Sequence, residues 1–197
     1  MKTHTNDRCN LITLAAPVIA LVLAFAILTL GSPRSLQAAT AEELDSEANN
    51  ALQTLYRTTP AARDMARVAK GILVFPRIVK GGFIFGGQYG EGALRVGGKT
   101  TGYYRSIAAS YGLQAGAQTF GYALFFLDDA SLRYLKDSDG WEIGVGPSIV
   151  IMDEGKARSF STTTAKSGVY AFFFSQHGLM AGLGITGSKI SEIYPRP

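Results

Sequence analysis

The fold is decided by residues 71–94, GILVFPRIVKGGFIFGGQYGEGAL. This segment sets apolar, mostly β-forming side chains among repeated glycines, and Arg77 and Lys80 lie between its two apolar halves. Glycine at this density weakens a flat sheet and is typical of bulges, strong coiling or the close approach of another backbone or a ligand. We therefore predict a curved, glycine-rich antiparallel sheet or small barrel with a cationic rim.

Two later segments repeat this mixture of apolar residues and glycine. They are residues 103–120, YYRSIAASYGLQAGAQTF, and residues 169–190, VYAFFFSQHGLMAGLGITGSKI. Together with residues 72–94, these blocks resemble the SYLF domain, and the resemblance runs in order from about Ala41 to Tyr194. The resemblance implies a non-catalytic lipid-binding or actin-binding domain. In eukaryotic relatives the implied ligands are phosphoinositides and actin filaments, and no binding residue is carried over.

The first forty residues have the composition of a targeting segment. Lys2 and Arg8 precede an uncharged apolar run over residues 11–30, LITLAAPVIALVLAFAILTL, and small residues follow at 38–41. The run is longer than the usual signal-peptide core of ~7–15 residues and can span a bilayer, so a cleaved signal and an uncleaved anchor both fit. We predict that residues 1–41 are a signal peptide or N-terminal membrane anchor. Either alternative exports the domain and makes it periplasmic or membrane-associated on the extracytoplasmic side.

Length, charge and cysteine content exclude several classes of protein. A chain of 197 residues, 47% of them hydrophobic, suffices for one well-packed domain, which we assign to residues 42–197. The net charge is only +4, and no run of five basic residues occurs, so a nucleic-acid partner is not indicated. The single cysteine, Cys9, precedes the apolar run. Residues 42–197 therefore contain no disulfide and no cysteine-based metal site.

Hydrophobic periodicity predicts an α+β fold with N-terminal helices and one further helix packed on the sheet. Apolar residues three and four apart over residues 41–70 indicate a helix that is interrupted at Pro60. This helical region either covers the sheet or lies on the surface of an anionic bilayer. A third helix is expected after Ala123–Leu127, capped by Asp128 or Asp129 and closed at Gly140. Strands are predicted at residues 72–75, 84–89, 93–96, 103–120, 141–152, 169–174 and 179–185.

Three patterns could indicate chemistry, but each has a simpler structural interpretation. Residues 93–100, ALRVGGKT, satisfy a relaxed phosphate-loop pattern, yet a phosphate loop opens a helix, whereas residues 101–104 continue as turn and strand. The acids of residues 137–142 lack the spacing of a calcium loop and fit a turn. His177 has no nucleophile-elbow pattern around it and too few partners for a metal. We predict no catalytic residue, metal, nucleotide or cofactor.

The basic and aromatic residues are more informative. Six basic side chains could form a rim that binds phosphate groups: Lys70, Arg77, Lys80, Arg95, Lys99 and Arg105. The alternative is that they are scattered charges that keep the domain soluble. The consecutive Phe172, Phe173 and Phe174 cannot all face one side of a strand, so at least one should meet a helix, a partner or lipid, and we assign them to apolar membrane contact. The predicted function is binding of an anionic phospholipid at a membrane surface. The alternative is an envelope interaction module that pairs with another protein through glycine-rich sheet edges.

Overall fold

The structure is a computed structural model that describes residues 39–82, 85–111, 116–152, 168–178, 185 and 187–197. Residues 1–38, which make up most of the predicted targeting segment, lie outside the described residues. The described part of the chain has the predicted α+β fold, with three helices and a strongly curled sheet of 8 strands. Among the described residues, no helix has both the length and the apolar character needed to cross a bilayer.

Two helices open the described chain, and their interruption at Pro60 is confirmed. Helix α1, Ala41–Thr58, begins with a capping box in which the Thr40 hydroxyl accepts the Glu43 N–H at 3.2 Å and the Glu43 carboxylate accepts the Thr40 N–H at 2.9 Å. Helix α2, Pro60–Ala66, starts on the proline, whose missing N–H costs nothing in a first turn. Helix α3, Asp129–Asp137, is capped by Asp128 and lies between the fourth and fifth strands.

The sheet is antiparallel throughout except at one edge. Its strands are β1 Gly71–Gly82, β2 Phe85–Val96, β3 Lys99–Tyr111, β4 Gly116–Phe126, β5 Trp141–Glu142, β6 Ile149–Met152, β7 Val169–Gly178 and β8 Lys189–Ile193. They are arranged in the order β5-β8-β3-β2-β1-β4-β7-β6, and only the β6–β7 pair is parallel. The four glycine-rich strands therefore lie inside the sheet, and the short strands β5 and β6 form its edges.

Strand β1 continues through Pro76, where the sequence predicted that it would end. The pairing of β1 shifts register between Phe75 and Ile78 against β4, and between Val74 and Val79 against β2. Proline has no N–H to donate to a neighbouring strand, and a bulge removes the need for one. A central strand of 12 residues therefore tolerates the proline.

The phosphate-loop pattern is a hairpin turn, as predicted. Val96 pairs with Lys99, and the two residues between them are Gly97 with φ 57° and Gly98 with φ 80°. Positive φ at both central positions is the geometry of a type I′ turn, which matches the twist of the flanking strands. No helix follows this turn, because β3 begins at Lys99.

The last third of the chain follows the prediction only in part. The strand over residues 141–152 is interrupted, as a proline within a strand predicts, and forms β5 and β6 on either side of Pro147, whereas β7 extends beyond the predicted end at 174 to Gly178. The predicted partner at residues 179–185 lies outside the described residues except for Ile185. Strand β8 was not predicted; it pairs with β3 and returns the chain to α1, where the Ala41 N–H donates to the Arg196 carbonyl at 2.9 Å.

The sheet buries apolar side chains on both faces. On the α1–α2 face, Leu55, Met65 and Ala62 pack with sheet residues such as Val74 and Phe125. On the α3 face, the largest buried side chains are Phe75, Tyr122, Phe126 and Trp141, together with Leu132 and Leu135 of α3. Since successive residues of a strand point to opposite faces, the near-continuous apolar runs of β1 and β4 serve both clusters.

Candidate functional site

Helices α1 and α2 cover only part of their face of the sheet. Ala93 is fully buried beneath them, whereas Tyr89, four residues earlier on the same side of β2, is 47% exposed. Val79 of β1 and Ile107 of β3 pair in register with Tyr89 and are 52% and 42% exposed. These three side chains form an apolar row across three adjacent strands, beyond the reach of the helices.

The apolar row is bordered by bare backbone. Two positions further along the same strands, on the same side, are Gly81, Gly87 and Ala109, which we call the glycine floor. Beyond this glycine floor comes Phe85, which is on the same side of β2 as Tyr89 and is 76% exposed. We call this surface the uncovered face and define it by Val79, Phe85, Tyr89, Ile107 and the glycine floor.

Two arginines lie where the uncovered face meets the helices. Arg77 of β1 is exposed, and its guanidinium is 3.4 Å from the carboxylate of Glu47 on α1. Arg105 of β3 is exposed two residues before Ile107 and pairs in register with Glu91 of β2. Cationic side chains therefore flank the apolar row on two strands.

Tyr89 is neutral at ordinary pH. Burial, the hydrogen bond that its hydroxyl donates to Glu91 at 2.5 Å and the charge of Glu91 together raise the pKa of Tyr89 to about 12, against the opposing charge of Arg105. The ring is apolar and exposed, whereas the hydroxyl is a polar end. A side chain of this kind suits a boundary between apolar and aqueous surroundings.

The six basic residues predicted to form one rim do not lie together. Lys70, Arg95 and Lys99 lie at the opposite end of the sheet, near the start of β1 and the β2–β3 turn. The Arg95 guanidinium donates to the Asn49 side chain at 2.5 Å and to the Gly98 carbonyl at 2.6 Å. Lys80 is on the α3 side of β1, in register with buried Gln88 and Gln118. Only Arg77 and Arg105 border the uncovered face.

The assignment of Phe172, Phe173 and Phe174 to membrane contact needs correction. Phe172 and Phe174 are 2% and 6% exposed and belong to the cluster beneath α1 and α2. Phe173 points to the other face and packs against Phe120 and Tyr122. Both faces of the sheet are covered where β7 passes, so consecutive phenylalanines fill two cores.

The structure exposes four apolar or aromatic side chains that the sequence analysis did not single out: Val79, Phe85, Tyr89 and Ile107. Their alternation with glycine, alanine and serine is visible in the sequence. That alternation identifies a common side of the strands, but it does not show where a covering helix ends. The exposed row could not have been found without the positions of α1 and α2.

His177 is exposed on β7 and pairs in register with Thr119. In the described part of the chain, no group of three or more histidine, cysteine, aspartate or glutamate side chains could hold a metal ion.

No protein-family model matches the chain, and no curated protein is significantly similar to it. The resemblance to the SYLF domain stays a prediction. Function therefore has to be proposed from the uncovered face and its surroundings.

Proposed function

We propose that this is a SYLF-like, non-catalytic domain that binds anionic phospholipid at a membrane surface through the uncovered face. The observation that carries the proposal is the exposed row of Val79, Tyr89 and Ile107 beside Arg77 and Arg105. Contiguous exposed apolar side chains rimmed by charge mark surfaces that contact a membrane or a partner. Export of the domain to the extracytoplasmic side remains part of the proposal.

The energies favour weak, reversible association. Fully burying a valine, isoleucine or phenylalanine contributes roughly 1.5–3 kcal/mol, and the apolar side chains of the uncovered face are already partly buried, so each contributes about half as much. Each arginine near an anionic surface adds about 1 kcal/mol, and this part falls with salt. Neither contribution is large alone, so binding requires both the apolar row and the arginines.

The glycine floor and Tyr89 fit the same role. Gly81 and Gly87 carry no side chain, so an acyl chain or a lipid backbone can approach the sheet between the apolar row and Phe85. Tyr89 keeps its proton because its pKa is about 12, and an amphipathic ring of this kind is enriched at the level of lipid headgroups.

A protein partner is the second candidate, and one observation favours it. The glycine-rich strands that were expected to offer free edges lie inside the sheet, so that route is closed in the described residues. Strand β6 is an edge instead, and its Val150 and Ile151 are 37% and 38% exposed. A protein partner could contact these two side chains, but a strand of four residues offers it only a small surface.

The test uses residues 39–197. Every residue of both buried clusters lies in this fragment, which forms one compact unit and includes the Thr40 cap of α1. Leaving out the apolar run removes a segment that would itself partition into vesicles. Circular dichroism and a cooperative urea transition check the fold of the fragment and of each variant.

We expect the fragment to sediment with phosphatidylcholine vesicles that contain phosphatidylglycerol, and less with phosphatidylcholine alone or at high salt. Val79→Ser should reduce binding about threefold to tenfold, because it removes one apolar contact. Val68→Ser is the matched control, since Val68 is 41% exposed and lies outside the uncovered face. Arg105→Gln should weaken binding and its salt dependence, whereas Arg133→Gln on α3 should not.

Three outcomes would contradict the proposal. The first is that the fragment binds no vesicle. The second is that Val79→Ser and Val68→Ser lose the same amount of vesicle binding. The third is that binding changes neither with salt nor with Arg105→Gln. A stoichiometric protein partner captured without lipid, and lost when Val150 and Ile151 are replaced by lysine, would favour the second candidate.

A further inference from the structure

A pocket of about 250 Å³ lies between α1 and the sheet, at the border of the uncovered face. Its polar lining consists of Glu47, Asn50 and Thr54 from α1, Arg77 from β1, and Ser175 from β7. Arg77 is two residues from Val79, so the pocket opens next to the apolar row. A lipid whose polar end occupied the pocket could lay its acyl chains on the uncovered face.

The charged pair in the pocket is open to exchange with a ligand. The Arg77 Nη2 to Glu47 Oε1 distance is 3.4 Å, longer than the ~2.7–2.9 Å of a strong charge-assisted hydrogen bond. The side chains are 67% and 48% exposed, and an ion pair with this exposure is held weakly. Arginine has five N–H donors, so Arg77 can bind an oxyanion while it stays near Glu47.

Ser175 reaches the pocket because of an unusual backbone. Its φ is 51°, and among the described residues it is the only residue other than glycine with a positive φ. The pairing of β7 with β4 shifts register here, between Thr119 and Gly121, which marks a bulge. Bulges redirect side chains, and residues in strained conformations concentrate at ligand sites. Ser175 at this bulge lines the same pocket as Arg77 and Thr54.

We propose that this pocket binds a zwitterionic headgroup of the phosphoethanolamine type. The phosphate would bind the Arg77 guanidinium, and the ammonium would bind the Glu47 carboxylate. Each charge of the headgroup would thus lie beside the opposite charge of the Arg77–Glu47 pair. Asn50, Thr54 and Ser175 supply further donors and acceptors. The inference rests on the proposed membrane binding: anionic lipid attracts the uncovered face to the membrane, and the pocket in addition takes the headgroup of a zwitterionic lipid in the same membrane.

The pocket discriminates against related headgroups for simple reasons. Arg77 and Glu47 together carry no net charge, so a glycerol headgroup leaves the Glu47 carboxylate without a cation and close to the phosphate. A choline headgroup is cationic but has no N–H to donate, and its methyl groups enlarge it. Phosphoethanolamine alone of the three offers a small cation with hydrogen-bond donors.

Soluble headgroups test the pocket without a membrane. The ¹⁵N-labelled fragment 39–197 is titrated with glycerophosphoethanolamine, glycerophosphocholine and glycerophosphoglycerol, and the amide shifts of Thr54, Arg77 and Ser175 are followed. We expect glycerophosphoethanolamine to bind at least fivefold more tightly than the other two. Glu47→Gln should abolish this preference, whereas Glu142→Gln on β5 should preserve it.

The outcomes separate this inference from the proposed function. Equal shifts with all three headgroups, no shifts at the pocket amides, or an unchanged preference in Glu47→Gln would each overturn the headgroup assignment. If Val79→Ser loses vesicle binding but keeps the headgroup titration, both proposals hold. If vesicles containing phosphatidylglycerol bind normally while the pocket ignores glycerophosphoethanolamine, only the headgroup assignment fails.

Discussion

Single glycines of β2 have two different roles. At Gly92 a Cβ atom would overlap the carbonyl oxygen of Val74 on β1, so that strand pairing depends on the absence of a side chain. At Gly87 a Cβ atom would lie 3.6 Å from the Ala108 carbonyl, which is an ordinary contact. The first glycine permits the close approach of two strands, and the second leaves the floor of the uncovered face bare.

Replacing these two glycines by alanine should therefore give opposite results. Gly92→Ala should lower the free energy of unfolding by about 2 kcal/mol or more, because backbone must move. Gly87→Ala should leave stability unchanged or raise it by up to ~1 kcal/mol, because it restricts the unfolded chain. Urea unfolding measures both. Equal destabilisation by the two substitutions would show that the strand approach at Gly92 is not as described.

Some residue roles could be predicted from the sequence, and others could not. Gly97 and Gly98 follow from a two-residue hairpin signal, because the turn type depends on local backbone preference. Phe172 and Phe174 were misassigned because their burial depends on α1, which is more than a hundred positions away. Local chemistry predicts conformation, whereas exposure depends on distant elements.

At the scale of elements, one carboxylate joins α3 to β7. Asp128 accepts the Ser131 N–H at 2.7 Å as the cap of α3, and it accepts the Gly168 N–H at 2.5 Å at the start of β7. Burial raises the pKa of this carboxyl, but the backbone N–H groups of Ser131 and Gly168 outweigh burial and hold the pKa below its usual value. The charged form is therefore the one that stabilises the fold.

This predicts how stability should depend on pH. Because the folded pKa is lowered, the contribution of Asp128 is complete above the ordinary pKa near ~4 and is lost as pH falls through the folded value. Asp128→Asn should cost about 1 kcal/mol at pH 7, since a charged acceptor becomes neutral, and less at pH 3. Urea unfolding at several pH values measures the difference, with Asp129→Asn as control. A cost that does not change with pH would contradict this role.

The elements with strong local patterns were predicted well. The apolar face of α1 and the proline that begins α2 predicted both helices, because helix periodicity and capping are local. The passage of β1 through Pro76 was missed because a bulge depends on both neighbouring strands. Strand β8, KISEI, was missed because its largely polar sequence becomes a strand through pairing with β3 and β5, which are distant in sequence.

At the scale of the whole molecule, the uncovered face and α3 are on opposite sides of the sheet. The row of Val79, Tyr89 and Ile107 shares its side with α1 and α2, whereas Leu132 and Leu135 of α3 pack on the other side. If the uncovered face binds membranes, the domain has one preferred orientation on the bilayer. The α3 side then faces water.

Single-cysteine labelling measures this orientation. Cys9 is the only cysteine in the chain, so residues 39–197 have none, and Ile107→Cys or Lys136→Cys introduces one. An environment-sensitive fluorophore at 107 should shift to shorter wavelength on anionic vesicles and be quenched by lipid-borne quenchers. The same probe at 136, on exposed α3, should change little. Similar responses at both positions would argue against a preferred orientation.

The fold class could be predicted from the sequence, but the sequence did not show which basic residues lie on the same surface. Lys70, Lys80 and Arg95 are close in sequence, yet the strand lengths and alternating sides separate them by end and by face. Arg77 and Arg105 are no closer in sequence than Lys70 and Arg95, yet both border the uncovered face. Strand order decides this grouping, and the glycine pattern does not specify it.

The hydrogen bond between the Ala41 N–H and the Arg196 carbonyl places both ends of the described unit at one point. A pull applied to the two ends would load this contact and the tail after β8 first. The central strands are bonded side by side through long registers and would carry little of that tension at the start. Mechanical force applied at the termini would thus separate the domain from one corner first and reach the strands of the uncovered face later.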